Sequence, residues 1–244
     1  MNQNQRVLIF DAGNTLLKIG VFCGEKLQEV IRLSYNELFS LNDLIKKFDS
    51  DAIFVSTVVS EDLTNQILHY VPKALLFNRN LKLPIQMDYL SYETLGIDRI
   101  CNSVAINNIN KNHSSVSIDI GTCVKFDFID AKGNYKGGSI SPGIDLRFKS
   151  LNDYTGNLPL INDKSSSDLI GNSTVNSIKS GVLNGIQAEI DQFIYLYSKE
   201  YQDLTFFVTG GDAVYFDFPL KNNTFVDENL TLKGLFQIYV FNAL

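Results

Sequence analysis

Apolar runs of strand length recur along the 244 residues and are separated by polar turns. Val7–Phe10 reads as a buried strand, Leu16–Cys23 as its return and Leu27–Leu33 as a third strand. Leu41–Phe48 has the spacing of a short amphipathic helix. Ala52–Ser56 is a further buried strand, and Ser60–Tyr70 a helix with Ser60 as its cap and Glu61 and Asp62 in its first turn. Ala74–Phe77 is another short strand. After Asp88, the spacing of Leu95, Ile100, Val104 and Ile109 predicts a helix capped by Ser91, with Gly96 inside it. A new set of strands begins at Ser115 and includes Cys123–Ile129. Ile144–Leu151 reads as a helix, and Tyr154–Ser173 as a polar loop whose Asp163–Asp168 stretch is the expected mobile segment. In Thr174–Glu200, Ile178, Val182, Ile186, Ile190 and Ile194 fall four apart, which predicts a long helix. Leu204–Val208 is a buried strand and Leu230–Phe241 a closing helix. Strands followed by alternating helix and strand, twice over, predict an α/β protein of two half-domains, 1–112 and 113–244.

The junctions carry the candidate chemistry. The first strand runs into Asp11-Ala12-Gly13-Asn14-Thr15. Gly13 and Asn14 tolerate positive φ, which suits a tight turn. Turn N–H groups can hold phosphate oxygens, whereas a carboxylate beside them would repel phosphate unless Mg²⁺ stands between. Taken alone, the stretch reads better as an ordinary hairpin with Asp in its turn. A second copy changes this: Ser117-Ile118-Asp119-Ile120-Gly121-Thr122 repeats strand, Asp-x-Gly and hydroxyl residue just under half a chain later. The repeat suggests a duplicated domain with two phosphate loops facing one cleft. Gly96-Ile97-Asp98-Arg99 offers a carboxylate and a guanidinium about 100° apart on a helix, so the two can serve different parts of a ligand, although taken alone the pair reads better as solvated charges on a helix face. Gly137–Gly143 and Thr209-Gly210-Gly211-Asp212-Ala213 are glycine-rich turns that suit either close packing or a ligand laid on backbone.

Composition narrows the classes. The net charge is −6 with no basic block, which argues against nucleic acid as a main partner. Cys23, Cys101 and Cys123 are an odd, widely spaced set, and His69 and His113 are isolated, so neither a disulfide framework nor a zinc site is expected. No run approaches the ~20 apolar residues of a membrane span, nor is there a signal peptide, and a cytoplasmic protein is expected. Walker-A, GxGxxG, HExxH and GxSxG patterns do not occur.

Taken in order, DAGNTLLK (Asp11–Lys18), LGIDR (Leu95–Arg99), DIGT (Asp119–Thr122), GGSISPG (Gly137–Gly143), IGNST (Ile170–Thr174) and TGGDA (Thr209–Ala213) resemble type III pantothenate kinase, a family of the acetate kinase, sugar kinase, Hsp70 and actin superfamily. The resemblance implies two duplicated ribonuclease-H-like, actin-like ATPase halves with a cleft between them. It also implies ATP-dependent phosphorylation of pantothenate to 4'-phosphopantothenate, the first step of coenzyme A synthesis. By the same resemblance Asp11, Ala12, Gly13, Asn14, Thr15, Leu16, Leu17, Lys18 and Thr122 bind ATP, with Asp11 directed at Mg²⁺. Asp119 would ligate a monovalent cation, K⁺ or NH₄⁺. Tyr89, Gly96, Ile97, Asp98, Arg99 and Thr174 would contact pantothenate, Asp98 as general base and Thr174 from across a homodimer interface, which makes the active site composite. The chain departs from the family at Lys125, where a small hydroxyl residue is usual. A lysine there is expected to replace or weaken the monovalent cation if it faces Asp119.

Overall fold

Strand β1 (Arg6–Ala12) opens a computed structural model that describes residues 4–218 and 223–243. There follow β2 (Leu17–Cys23), β3 (Lys26–Leu33), a 3-10 turn at Tyr35–Ser40, α1 (Leu41–Phe48), β4 (Ala52–Thr57), α2 (Glu61–Tyr70), β5 (Leu75–Leu76) and β6 (Gln86–Met87). A 3-10 turn at Tyr92–Thr94 leads into α3 (Ile97–Ile109). Then come β7 (Ser115–Ile120), β8 (Cys123–Ile129), β9 (Asn134–Pro142), α4 (Ile144–Asp153) and α5 (Thr174–Glu200). The chain ends with β10 (Thr205–Thr209), a 3-10 turn at Ala213–Tyr215, β11 (Thr224–Val226) and α6 (Leu230–Ala243).

The two sheets share one plan. The first has the order β3-β2-β1-β4-β5; the second contains β9-β8-β7-β10-β11, with β6 added beside β9. In each, three strands meander antiparallel and two more join in parallel. The correspondence reaches single residues. Asp11 lies opposite Lys18 across one hairpin and beside Ser56 on the parallel strand. Asp119 lies opposite Lys125 and beside Thr209. The loop after β4 donates Val58 N–H to the Ala12 carbonyl, and the loop after β10 donates Asp212 N–H to the Ile120 carbonyl, in each case the residue after the aspartate. The fold is α/β, built from two halves that repeat one ribonuclease-H-like sheet plan.

Contacts divide the chain into two units, and the division differs from halves at 1–112 and 113–244. The first unit comprises Met1–Gln86, Leu90–Asn108 and Asn229–Leu244; the second comprises Met87–Tyr89 and Ile109–Glu228. The last helix therefore belongs with the first sheet. Phe236 of α6 stacks on Phe22 with ring centroids 4.1 Å apart, and Tyr239 tilts against Phe54 at 5.9 Å. Gly234 lets α6 touch α3 backbone to backbone, since a Cβ there would lie 1.9 Å from the Cys101 carbonyl oxygen. The opposite face of the first sheet packs Leu8, Phe10, Leu17 and Ile19 against Leu41 of α1 and Ile67 of α2. In the second unit Val116, Ile118, Phe126 and Phe206 pack against Ile144 and Phe148 of α4 and the isoleucine stripe of α5. Strand alternation then turns Ser115, Ser117 and Asp119 to the other face of β7.

Two local expectations are corrected. Ser91 precedes only the 3-10 turn and makes no side-chain cap, and α3 begins at Ile97. Gly96 therefore stands at the start of the helix, where its carbonyl accepts from Ile100 N–H, and carries no mid-helix penalty. At the first loop neither Gly13 nor Asn14 takes positive φ; the turn closes by Gly13 N–H donating to the Leu16 carbonyl.

Candidate functional site

In the first unit, Asp11 ends β1 half-buried and the turn beyond it exposes Asn14 and Thr15. Ala12 and Leu17 close the hairpin from inside the core, while Leu16 and Lys18 are partly exposed. Tyr35 fixes this loop from outside by donating its hydroxyl to the Gly13 carbonyl. Burial and then the Asp11 charge push the Tyr35 hydroxyl up to about 12. Its position depends on the preceding turn, where Ser34 and Glu37 form a reciprocal capping box.

Asp98 occupies the first turn of α3. Its Oδ1 accepts from Arg99 N–H at 2.9 Å, and a Cβ on Gly96 would come within 2.4 Å of that same oxygen. Glycine at 96 thus clears the space that the carboxylate uses. Arg99 is buried, at 5% exposure. The segment before it is braced by Arg79, whose guanidinium donates to the Tyr92 carbonyl at 3.0 Å and to the Leu95 carbonyl and lies 5.3 Å from the Tyr92 ring. The Cys101 thiol joins the two acidic elements. Burial raises its pKa far above the ordinary value, and the charges of Asp11 and Asp98 both add to the rise, with Arg79 opposing. Asp11 and Asp98, distant in sequence, thus both bear on one buried thiol of the first unit.

In the second unit, two turns converge on the Asp119 hairpin. A Cβ on Gly143 would lie 2.0 Å from the Gly121 carbonyl oxygen, and one on Gly210, at φ +98°, would lie 2.1 Å from the Ile120 carbonyl oxygen. Gly143 N–H donates to the Thr122 carbonyl, so the start of α4 sits on the second loop, and no side chain caps that helix. Thr122 is exposed beside it. Gly211 has open space where a side chain would be, which suits a flat group laid on the backbone. By contrast, Gly137 and Gly138 are explained by packing: Gly137 lies under the Tyr89 ring and Gly138 against the Phe126 carbonyl. Tyr89 packs edge-on against Tyr135 at 5.6 Å and is grouped with the second unit, while Gly96–Arg99 are grouped with the first.

Residues that carry no motif hold this arrangement. Arg147 ties the Pro142 carbonyl at 2.7 Å, Ser141 and Glu189 together, anchoring the start of α4 to α5. Lys164 bridges Asp145 at 2.8 Å and Asp212 at 2.9 Å. Burial lowers its pKa, but the two carboxylates outweigh this and the net shift is upward. Lys179, buried in α5, holds Asp163 at 2.7 Å and, with the Ser165 groups, takes that carboxyl down to about 2. The loop expected to be mobile is therefore tied at Asp163, Lys164 and Ser165. No signal in the sequence separates these ions from ordinary surface charges. Thr174 is exposed at the first position of α5, after Ser173, whose hydroxyl caps the helix through Asn176 N–H.

The donor sets differ in which ions they fit. Mg²⁺ is commonly held by one or two carboxylates together with substrate phosphates, so a single half-buried Asp11 beside an exposed turn fits it. A monovalent cation at Asp119 does not fit in the same way. Lys125 Nζ lies 2.7 Å from Asp119 Oδ2, and both side chains are mostly buried. A second cation about 4 Å from that ammonium would meet a repulsion of about 4 kcal/mol at an effective dielectric of about 20.

Known proteins agree with this architecture. A protein from Phocaeicola vulgatus named type III pantothenate kinase is 38% identical over 240 residues, covering 96% of this chain and 98% of its own. A Campylobacter jejuni crystal structure assigned to the Baf family of transcriptional activators superposes with a TM-score of 0.57 at 24% identity, covering 97% of this chain and 98% of its own. An inorganic polyphosphate/ATP-glucomannokinase from Arthrobacter sp. strain KM gives 0.53 at 11% identity, covering 97% and 99%. The family model for type III pantothenate kinase matches residues 7–195, and the chain belongs to that family.

Proposed function

We propose that the chain transfers the γ-phosphoryl group of ATP to the terminal primary hydroxyl of pantothenate, giving 4'-phosphopantothenate for coenzyme A synthesis. Phosphoryl transfer asks a protein mainly for positioning and charge neutralisation, with one base to orient the attacking hydroxyl. The observation that carries the reading is the placement of Asp98. Its carboxylate is fixed in the first turn of α3 by Arg99 N–H, over a glycine that leaves it room. Asp98 accepts the hydroxyl proton, and Gly96, Ile97 and Arg99 hold the substrate, Arg99 through its carboxylate. The turn from Asp11 to Lys18 and the Thr122 loop bind ATP phosphates through backbone N–H groups. Asp11 would hold Mg²⁺, which when bound would supply neutralisation of the phosphate charge. K⁺ or NH₄⁺ at Asp119 finds Lys125 already on that carboxylate, and no step here depends on it.

Thr174 and Tyr89 are further pantothenate contacts in this reading, with Thr174 supplied by a second copy of the chain. Exposed Leu169, Ile170 and Val175 around Thr174 support a homodimer contact there. We place the enzyme in the cytoplasm, in keeping with a metabolic kinase family; no helix among the described residues is long and apolar enough to cross a membrane.

The test is ADP release by purified protein with and without pantothenate. Asp98→Asn should lower kcat by about 10²–10⁴, the usual cost of losing a general base, with ATP binding unchanged. Arg99→Ala should raise KM for pantothenate more than it lowers kcat. Asp98→Asn turnover within a few-fold of wild type would remove Asp98 from this role. For the composite site, inactive Asp98→Asn and Thr174→Arg subunits should regain activity when exchanged. Exchange without recovery would refute it.

A further inference from the structure

We propose that the Lys125 ammonium serves as a built-in monovalent cation at Asp119, so that this kinase works without K⁺ or NH₄⁺. The inference rests on the kinase reading above and concerns the charge at its second phosphate loop. The hairpin dictates the placement. Gly121 N–H donates to the Cys123 carbonyl, Ile120 pairs with Val124, and Asp119 therefore pairs with Lys125. Directly opposed residues of an antiparallel pair put their side chains on one face, so Lys125 cannot point away from Asp119 while this register holds. Nζ reaches Oδ2 at 2.7 Å, with 14% and 13% of the two side chains exposed. Asp127, two residues along the same strand and on the same face, is fully buried and accepts a hydrogen bond from Tyr135 at 2.7 Å. The ammonium thus stands in a row of acidic groups where a cation is required for charge balance.

A primary ammonium and K⁺ both carry one positive charge and approach carboxylate oxygens to similar distances. A tethered ammonium also has no dissociation equilibrium and cannot be lost by dilution. The first half supplies an internal parallel: Lys18 holds the same cross-strand position opposite Asp11. Each Asp-x-Gly hairpin of the duplicated fold therefore places a lysine across from its aspartate.

The experiment measures pantothenate-dependent ADP release and, separately, ADP affinity by calorimetry, in KCl, NH₄Cl, NaCl and Tris chloride at equal ionic strength. Wild type should vary by less than about three-fold in both readouts, since an ion that does not bind the folded state cannot shift it. Lys125→Thr should lose about ten-fold or more in Na⁺ or Tris and recover in K⁺ or NH₄⁺, as expected when one close charge is removed and then replaced. Wild-type activity or ADP affinity that collapses without K⁺ would overturn the proposal, and this arm needs no variant to fold. A Lys125→Thr protein with a wild-type melting curve but no salt response, whether active or inactive, would also overturn it. Failure of the kinase reading is separate: it would appear as no pantothenate-dependent ADP release in any salt, and the ADP calorimetry would still decide the role of Lys125.

Discussion

Gly96 and Asp98 show how a small residue can set the position of a reactive one. The missing Cβ at 96 is the space in which Asp98 Oδ1 lies, and Gly96 does not need positive φ. Gly96→Ala should therefore fold normally, because the backbone suits alanine, while the carboxylate must rotate away. We expect kcat to fall about 10- to 100-fold, part of the full cost of losing a base, with a melting temperature close to wild type. An unchanged kcat would mean that the observed carboxylate position is not the working one. The motif itself was legible in the sequence, but the reason for its glycine was not. The atom that needs the space at 96 is the protein's own, a carboxylate oxygen two residues further on.

At the scale of elements, each phosphate loop is steadied by a neighbour that no motif marks. For the first loop this is Tyr35, whose hydroxyl donates to the Gly13 carbonyl. Tyr35→Phe should raise KM for ATP by roughly 2- to 13-fold, the equivalent of one net hydrogen bond of about 0.5–1.5 kcal/mol, with KM for pantothenate unaffected. A pH signature accompanies it. The hydroxyl titrates near 10 in the unfolded chain and at about 12 in the folded one. Its contribution to stability is complete below pH 10 and is lost as the pH climbs towards 12. Wild-type melting temperature should thus fall more steeply across that window than that of Tyr35→Phe; parallel curves would contradict the pairing. The strands, both hairpins and the long α5 were readable because periodicity and turn residues are local. Tyr35, Arg79, Arg147 and Lys164 were not, because each acts on a segment brought near it only by folding. Hairpin register was the intermediate case: the sequence left open whether Lys125 faces Asp119, and the strand pairing puts the two opposite each other.

At the scale of the whole molecule, one element far along the sequence belongs with the first sheet. Helix α6 is last in sequence yet covers the first sheet, with Phe236 1% exposed and stacked on Phe22. Phe236→Ala should destabilise the protein by about 3–5 kcal/mol, the range for truncating a buried phenylalanine, as read by circular dichroism in denaturant. A loss below about 1 kcal/mol would show that α6 is loosely held, since that is the scale of an average substitution rather than a core one.

The placement of α6 also gives the protein an order of assembly during its own synthesis. The strands of the first sheet leave the ribosome early, but the helix that covers one of their faces is made last. At roughly 5–20 residues per second, that face stays uncovered for several seconds while the entire second unit is translated. A chain cut short after Glu228 would hold all of β1 to β5 and still lack the cover over Phe22 and Phe54. An incomplete translation product would therefore display an apolar sheet to chaperones and proteases, and full-length synthesis becomes the condition for a soluble first unit.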